Sequence, residues 1–199
     1  MNKKLLAAAL LSIFSVTAHA AKDDSGIYLV GTAGTSSNIT NVDTGTTLSG
    51  MIGYQFNSFF MVEGGMTLLA DKANYLTAQT PVVIAGTTYT YTSTTLAGNE
   101  FAAVLGLPLT EDFSVLFRFG YSSMERSNSP SPPEVEENWK GSTTGIALQY
   151  ILPYDISVSR GSKMRIGLRA GVTRYNLTNP AGTQTETPLN TYAGGVIQF

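Results

Sequence analysis

Residues Thr47 to Leu69 alternate with a period of two, and the unusual feature is what each face carries. Leu48, Gly50, Ile52, Tyr54 and Phe56 form one row, and Thr47, Ser49, Met51, Gly53 and Gln55 form the other. After Asn57-Ser58 the pattern resumes, with Phe60, Val62, Gly64, Met66 and Leu68 against Met61, Glu63, Gly65 and Thr67. A period of two is a strand period, because successive side chains point to opposite faces. A two-residue polar turn between two such runs predicts a hairpin. One face is apolar, with aromatics close to the turn. The other is small and polar and carries a carboxylate. A sheet with that division suits lipid outside and water or other polar groups inside.

The first twenty residues, MNKKLLAAALLSIFSVTAHA, read differently. Lys3 and Lys4 make a positive start, Leu5 to Val16 an apolar core too short to span a bilayer, and Ala18-His19-Ala20 a small-x-small site. Together they predict a secretory signal peptide over residues 1–20, cut after Ala20, and a mature domain over 21–199. Cleavage there removes two of the 12 basic residues, none of the 14 acidic ones, and the only histidine. The exported chain then has neither His nor Cys. Disulfides, thiolate chemistry, Cys/His zinc sites and histidine-dependent triads are excluded on that ground. The acidic balance disfavours nucleic acid as a partner, and no cofactor is expected. The mature sequence has no run of about 20 apolar residues, so no membrane helix is predicted. A charged fraction of 13%, 10% aromatics and 20 glycines suit a membrane barrel better than a helical domain.

Further strands follow along the chain. Ser25 to Thr35 is the first, with Ile27, Leu29, Gly31 and Ala33 outward and Tyr28, Val30, Thr32 and Gly34 inward. Ser36 to Gly45 reads as a loop. The β-branched and aromatic stretch from Ala70 to Thr95 predicts that strands three and four protrude toward a turn near Ala85-Gly86. Strand four sets Phe101, Ala103, Leu105 and Leu107 against Glu100, Ala102, Val104 and Gly106. Pro108 to Asp112 is a short turn. Strand five sets Phe113, Val115, Phe117, Phe119 and Tyr121 against Ser114, Leu116, Arg118, Gly120 and Ser122. An arginine is costly on a lipid face, so Arg118 is predicted to point inward. Ser123 to Lys140 is proline-rich and reads as a loop. Strand six, Thr144 to Leu152, faces Ile146, Leu148, Tyr150 and Leu152 outward and Gln149 inward. Pro153 to Ser162 is a turn. Strand seven, Lys163 to Tyr175, sets Met164, Ile166, Leu168, Ala170 and Val172 against Arg165, Gly167, Arg169, Gly171 and Thr173. Asn176 to Thr187 is a loop, and Leu189 to Phe199 is the last strand.

Short and long connections alternate, as an up-and-down meander requires. The fold class predicted is all-β: an eight-stranded antiparallel transmembrane barrel, with short turns periplasmic, long loops extracellular, and an interior filled by side chains. Glu63, Arg118 and Arg169 lie at similar heights above the short turns, and Glu100 lies higher. Unpaired charges in so narrow an interior are costly. A lumenal cluster of Glu63, Glu100, Arg118, Gln149 and Arg169 is therefore expected.

The segments GYQFNSFFMVEGG (Gly53 to Gly65) and LGLPLTEDFSVLFRFGY (Leu105 to Tyr121) resemble the strand-turn-strand segments of the OmpA-type transmembrane barrel. Phe199, with Ile197 two residues before it, resembles the terminal signal read by the outer-membrane assembly machinery. The resemblance implies a bacterial outer-membrane location, a monomer, and contact with outer-membrane lipid and lipopolysaccharide. It implies lumenal roles for Glu63, Arg118 and Arg169. It also marks two departures: Val104 stands where such barrels have a lysine, and Gln149 where they have a glutamate. The chain ends at strand eight, so the OmpA periplasmic domain is not expected. In size it is similar to the small OmpX, Ail and Opa-type barrels, which implies a host or surface ligand at the extracellular loops.

Four function classes can be compared on this basis. A structural or surface-interaction barrel without catalytic activity fits best, and a small low-conductance pore is the alternative. A membrane enzyme with Ser/His chemistry lacks its histidine. A soluble lipocalin-like carrier would be apolar inside and polar outside, the reverse of this pattern. If Ile197 and Phe199 form an assembly signal, Phe199→Ala will lower the amount of folded protein in the outer membrane. Heat-modifiable migration of membrane fractions measures it, and unchanged assembly would refute the signal.

Overall fold

The structure is a computed structural model that describes residues 25–76, 81–84, 86–129, 137–159 and 162–199. The predicted signal peptide, with Ala18 and Ala20, lies outside the described residues. So does the stretch holding Pro130, Pro132 and Pro133.

The described strands are β1 Gly26–Ser37, β2 Gly45–Asn57, β3 Phe60–Asn74, β4 Val82–Ile84, β5 Thr87–Tyr89, β6 Ser93–Pro108, β7 Phe113–Ser129, β8 Glu137–Ile151, β9 Ile156–Ser159, β10 Ser162–Thr178, β11 Thr185–Glu186 and β12 Leu189–Gln198. Eight of them form the wall, in the order β10-β12-β1-β2-β3-β6-β7-β8, and β8 returns to β10. Every wall pairing is antiparallel. The ring closes where Tyr28 to Ser37 pair with Gln198 to Leu189, and where Gly167 to Thr178 pair with Ile151 to Lys140. The chain is thus a closed eight-stranded antiparallel barrel. Closure leaves no wall strand with an unpaired edge, the condition for placing a sheet in hydrocarbon.

Local chemistry explains the tight turns. Asn57 Oδ1 accepts from the amides of Phe59 and Phe60 at 2.8 and 2.9 Å, which folds the chain back after β2. Between β6 and β7, Thr110 Oγ1 accepts from the Phe113 amide at 3.0 Å. At the opposite end, Asn38 and Asn41 adopt positive φ of 61° and 57° in the β1–β2 connection, a region Asn tolerates better than most residues.

The alternation sorts side chains as the sequence predicts. Ile52, Val62 and Phe117 face outward, and Leu168 and Phe101 are more than 60% exposed on the outer wall. Tyr28, Met61, Val104 and Leu116 are buried inside. The first strand's facing is also as predicted, with Tyr28 and Val30 inward. Tyr54, Phe56 and Phe60 form an aromatic contact group beside the first turn, where an aromatic girdle meets a membrane interface.

Several predicted loops are shorter than the sequence suggested. The stretch Ser123 to Lys140 is strand up to Ser129 and again from Glu137, with Met124 opposite Trp139. Ser123, Glu125 and Ser127 were misleading because that part of the outer face is polar. An alternation of polar against apolar, with the polar side outward, lacks the lipid signature. For the same reason β10 runs on to Thr178. β3 and β6 run past Leu69 and Leu96, in line with the protruding strands predicted over Ala70 to Thr95. In β3 the register shifts between Leu68 and Ala70, so Leu69 and Ala70 are both buried. The turn from Pro153 to Ser162 contains β9, which folds against β10. The hairpin β4–β5 forms a separate two-stranded sheet beyond the wall.

The wall generates one prediction. Leu168→Arg, in the middle of the outward apolar row, should cost about 2–4 kcal/mol of folding stability in lipid, and Leu107→Arg, beside the turn, about 0–1 kcal/mol. Urea unfolding in vesicles measures both. Equal costs would mean that the band is misplaced.

Candidate functional site

The interior is layered. Near the short turns an apolar layer is built from Tyr28, Val30, Met51, Met61, Val104 and Leu116, closed by Ile151 and Val196. Near the long connections a second apolar layer contains Leu69, Leu96, Met124, Trp139, Tyr175 and Leu177. The charged residues lie between them.

All five residues of the predicted lumenal cluster are in this middle layer, each less than 10% exposed. Glu63 is its centre. Arg118 Nε donates to Glu63 Oε2 at 3.1 Å, and Arg169 Nη1 donates to Glu63 Oε1. Arg118 also reaches upward, donating from Nη1 to Glu100 Oε1. Gln149 Oε1 accepts from Arg169 Nε at 3.0 Å and Nη2 at 2.7 Å. Two carboxylates therefore face two guanidiniums. Such neutrality, with most lone pairs satisfied, is what a buried ionic group needs.

The sequence reading missed the tyrosines that complete the network. Tyr28 donates to Glu63 Oε1 at 2.9 Å, and Tyr175 donates to Glu100 Oε2 at 3.0 Å. Thr67 Oγ1 adds a contact to Glu100 Oε2 at 3.1 Å. Tyr28 was placed inward, but not toward Glu63. The signal lay in Gly53, which stands opposite both Tyr28 and Glu63. A Cβ at Gly53 would lie 2.2 Å from the Tyr28 ring, so the glycine makes the space that the ring crosses. The Arg169 guanidinium lies 5.7 Å from that ring's centroid, within cation–π range. A cavity of about 20 Å³ remains beside Glu63, Glu100, Arg118, Arg169 and Asn190, room for about one water. Ile197 and Phe199 lie apart from this layer, at the short-turn rim. The Phe199 amide donates to the Ile27 carbonyl at 3.0 Å.

A second network, also missed, ties the long connections together. Glu186 of β11 accepts from Arg126 Nη1 at 3.1 Å and from the Thr40 amide at 2.7 Å. Arg126 also donates to Tyr75 Oη at 3.4 Å, and Tyr75 donates to Asn128 at 2.7 Å. The Arg126 guanidinium lies over Trp139, 5.5 Å from its ring centroid, and Trp139 Nε1 donates to Glu137 at 3.0 Å. The β1–β2, β3–β6 and β10–β12 connections, and the facing ends of β7 and β8, thus meet in one cluster. Thr40 and Glu186 are 146 positions apart, a separation that no local pattern reveals. Among the described residues no group of His, Cys, Asp and Glu could hold a metal ion.

Residues 6–195 match the family described as the outer membrane protein beta-barrel domain. The chain belongs to that family. A solved structure of Neisserial surface protein A, NspA, superposes with a TM-score of 0.58 at 11% identity, covering 88% of this chain and 97% of that one. The outer membrane protein OprG from Pseudomonas aeruginosa gives a TM-score of 0.42 at 11% identity, covering 89% of this chain and 97% of that one. No curated protein matches the sequence. Family membership gives the barrel class and an outer-membrane location. As a member of the outer membrane protein beta-barrel domain family, the chain keeps its charged layer wholly inside a wall that faces hydrocarbon.

Glu63→Gln removes the shared partner of two buried arginines, and breaking a buried pair costs about 3–5 kcal/mol. The loss should be read by urea unfolding in vesicles, followed by fluorescence of Trp139, the only tryptophan. The double variant Glu63→Gln/Arg169→Met should lose less than the sum of the single losses, since the two residues are coupled. Additive losses would show that they do not act as a pair.

Proposed function

We propose that this protein is a non-catalytic scaffold of the outer membrane, which presents its long connections at the cell surface for contact with a host or envelope molecule. The observation that carries this reading is the double closure of the interior. A fully paired ionic layer lies between two apolar layers, which favours a solid pedestal over a conduit. The Glu186–Arg126 cluster supports the same reading. It holds three loop connections against one another, so the surface they form is pre-organised and loses less entropy on binding. Short turns then face the periplasm and long connections the exterior. The name of Neisserial surface protein A is in keeping with this role. The ionic layer fills and fixes the interior; Val104 and Gln149, standing where OmpA-type barrels have a lysine and a glutamate, disfavour a gate.

Two measurements test the proposal. Purified protein in planar bilayers should show no conductance steps above background. Glu186→Gln should leave the barrel folded by heat-modifiable migration, yet raise protease cleavage of the loops on intact cells several-fold and weaken attachment of those cells to host surfaces. Regular conductance steps would support a pore instead. Attachment that is unchanged both by that variant and by deletion of the whole protein would remove the surface-contact role.

A further inference from the structure

The β3–β6 connection differs from the other long connections in carrying no charge. Asp43 lies between β1 and β2, Glu134 and Glu136 between β7 and β8, and Glu186 between β10 and β12. From Ala73 to Asn99 there is no Asp, Glu, Lys, Arg or His. Between Pro81 and Ser93 the sequence reads VVIAGTTYTYT, without charge or proline and dominated by β-branched and aromatic residues. An uncharged run of that composition pairs readily with copies of itself when its strand edge is open.

The fold leaves that edge open. β4 and β5 form a two-stranded sheet of their own, with Val82, Val83 and Ile84 opposite Tyr89, Thr88 and Thr87. Gly86, at a φ of 80°, turns the chain between them. Among the described residues neither strand has a second neighbour. Val83 is 66% exposed, and Thr87 and Thr88 are exposed as well. Backbone groups along a strand point alternately to its two sides. Ile84 faces Thr87 across the turn, so the amide and carbonyl of Val83 point away from β5, to the open edge. Natural sheets blunt such an edge with lysine, proline or a bulge; β4 has only Pro81, at its start. A two-stranded hairpin is also marginal alone and gains from added strands. Its stem, by contrast, is fixed. The Tyr75 amide donates to the Thr92 carbonyl at 3.0 Å and the Leu76 amide to the Asn41 carbonyl at 2.7 Å. The Tyr75 hydroxyl belongs to the Arg126 cluster, so the hairpin grows out of the pre-organised rim.

We propose that β4 pairs with β4 of a second copy of this chain in a facing membrane, antiparallel and centred on Val83, so that the protein joins cells that carry it. β4 runs from the stem to the tip. Copies that approach from facing membranes therefore bring their β4 strands together in opposite directions. Identical strands paired in this way obey a two-fold axis. Val83 then lies directly opposite its own counterpart, with Cβ atoms about 4.5–5.5 Å apart. Charge selects the same occupant. Acidic residues outnumber basic ones, 14 to 12, so two copies approach most easily where charge is absent. One such contact is weak, and many per cell act together. The inference rests on the scaffold reading for the outward placement of the hairpin, and it names the partner.

Lipid vesicles carrying the full protein, mixed and followed by light scattering, test the pairing. Wild-type vesicles should cluster. Val83→Lys and Val83→Glu each set like charges opposite one another and should lower clustering by about five-fold or more. Vesicles of the two variants mixed together should recover about half or more of the wild-type clustering, because Lys then faces Glu. Gln184→Lys, which adds the same charge on the β10–β12 connection, should cluster as wild type does. Folding of every variant is checked by heat-modifiable migration. Wild-type vesicles that stay dispersed, clustering untouched by either substitution at Val83, or no recovery in the mixture would overturn the proposal. Dispersed vesicles together with host attachment that Val83→Lys abolishes would assign the edge to a foreign strand instead. Clustering needs no host molecule, so its failure leaves the scaffold reading, tested by conductance and attachment, standing.

Discussion

Everything in this structure depends on the hydrogen-bonded ring being closed. In hydrocarbon an unpaired backbone amide or carbonyl costs several kcal/mol, and a strand has one such group per residue along each edge. The pairing of β1 with β12 removes the last two edges. It also brings the first and last described strands together, so that Phe199 donates to Ile27. Once the ring is closed, every residue has only two destinations, the lipid side or the interior, and the period-two alternation assigns them.

The interior then has to be filled by side chains from eight strands at once. Large residues cannot stand opposite one another everywhere, so glycines and large groups interlock, as Gly53 and Tyr28 do. The charged layer solves a related problem. Two glutamates and two arginines cancel in charge, and the two tyrosines, Thr67 and Gln149 take up remaining hydrogen-bonding capacity. Apolar layers above and below shut out bulk water, which strengthens each pair and raises the cost of losing a partner. With the interior closed, the surface open to partners is the outer one, and at one rim the loop cluster around Glu186 fixes its shape.

Much of this was legible in the sequence wherever the outer face is apolar. There, two signals coincide: the alternation and the lipid-facing hydrophobicity. Arg118 and Arg169 could be placed inward from cost alone, and Glu63 from its row. Legibility fell off where strands leave the membrane. From Ser123 to Ser129 both faces tolerate polar residues, because the outside is aqueous, so a continuing strand looks like a loop. The Glu186 cluster was illegible for another reason: Thr40 and Tyr75 come from connections and Glu186 from the two-residue strand β11, where no periodicity indicates direction, and their partners Arg126 and Trp139 lie on strand ends whose polar outer face hides the alternation.

The sequence by itself determined the membrane-spanning parts of the eight wall strands, their inward and outward rows and the membrane class, because these follow from local alternation and the cost of charge in lipid. Tertiary structure alone decided which inward residues meet. Glu63 pairs with both Arg118 and Arg169 because curvature brings β3, β7 and β10 to face one another across a narrow interior, at distances fixed by strand number and stagger. It also decided that Tyr28 crosses Gly53 and that Thr40 reaches Glu186. Each of these contacts is a product of register and closure, and those are properties of the whole ring.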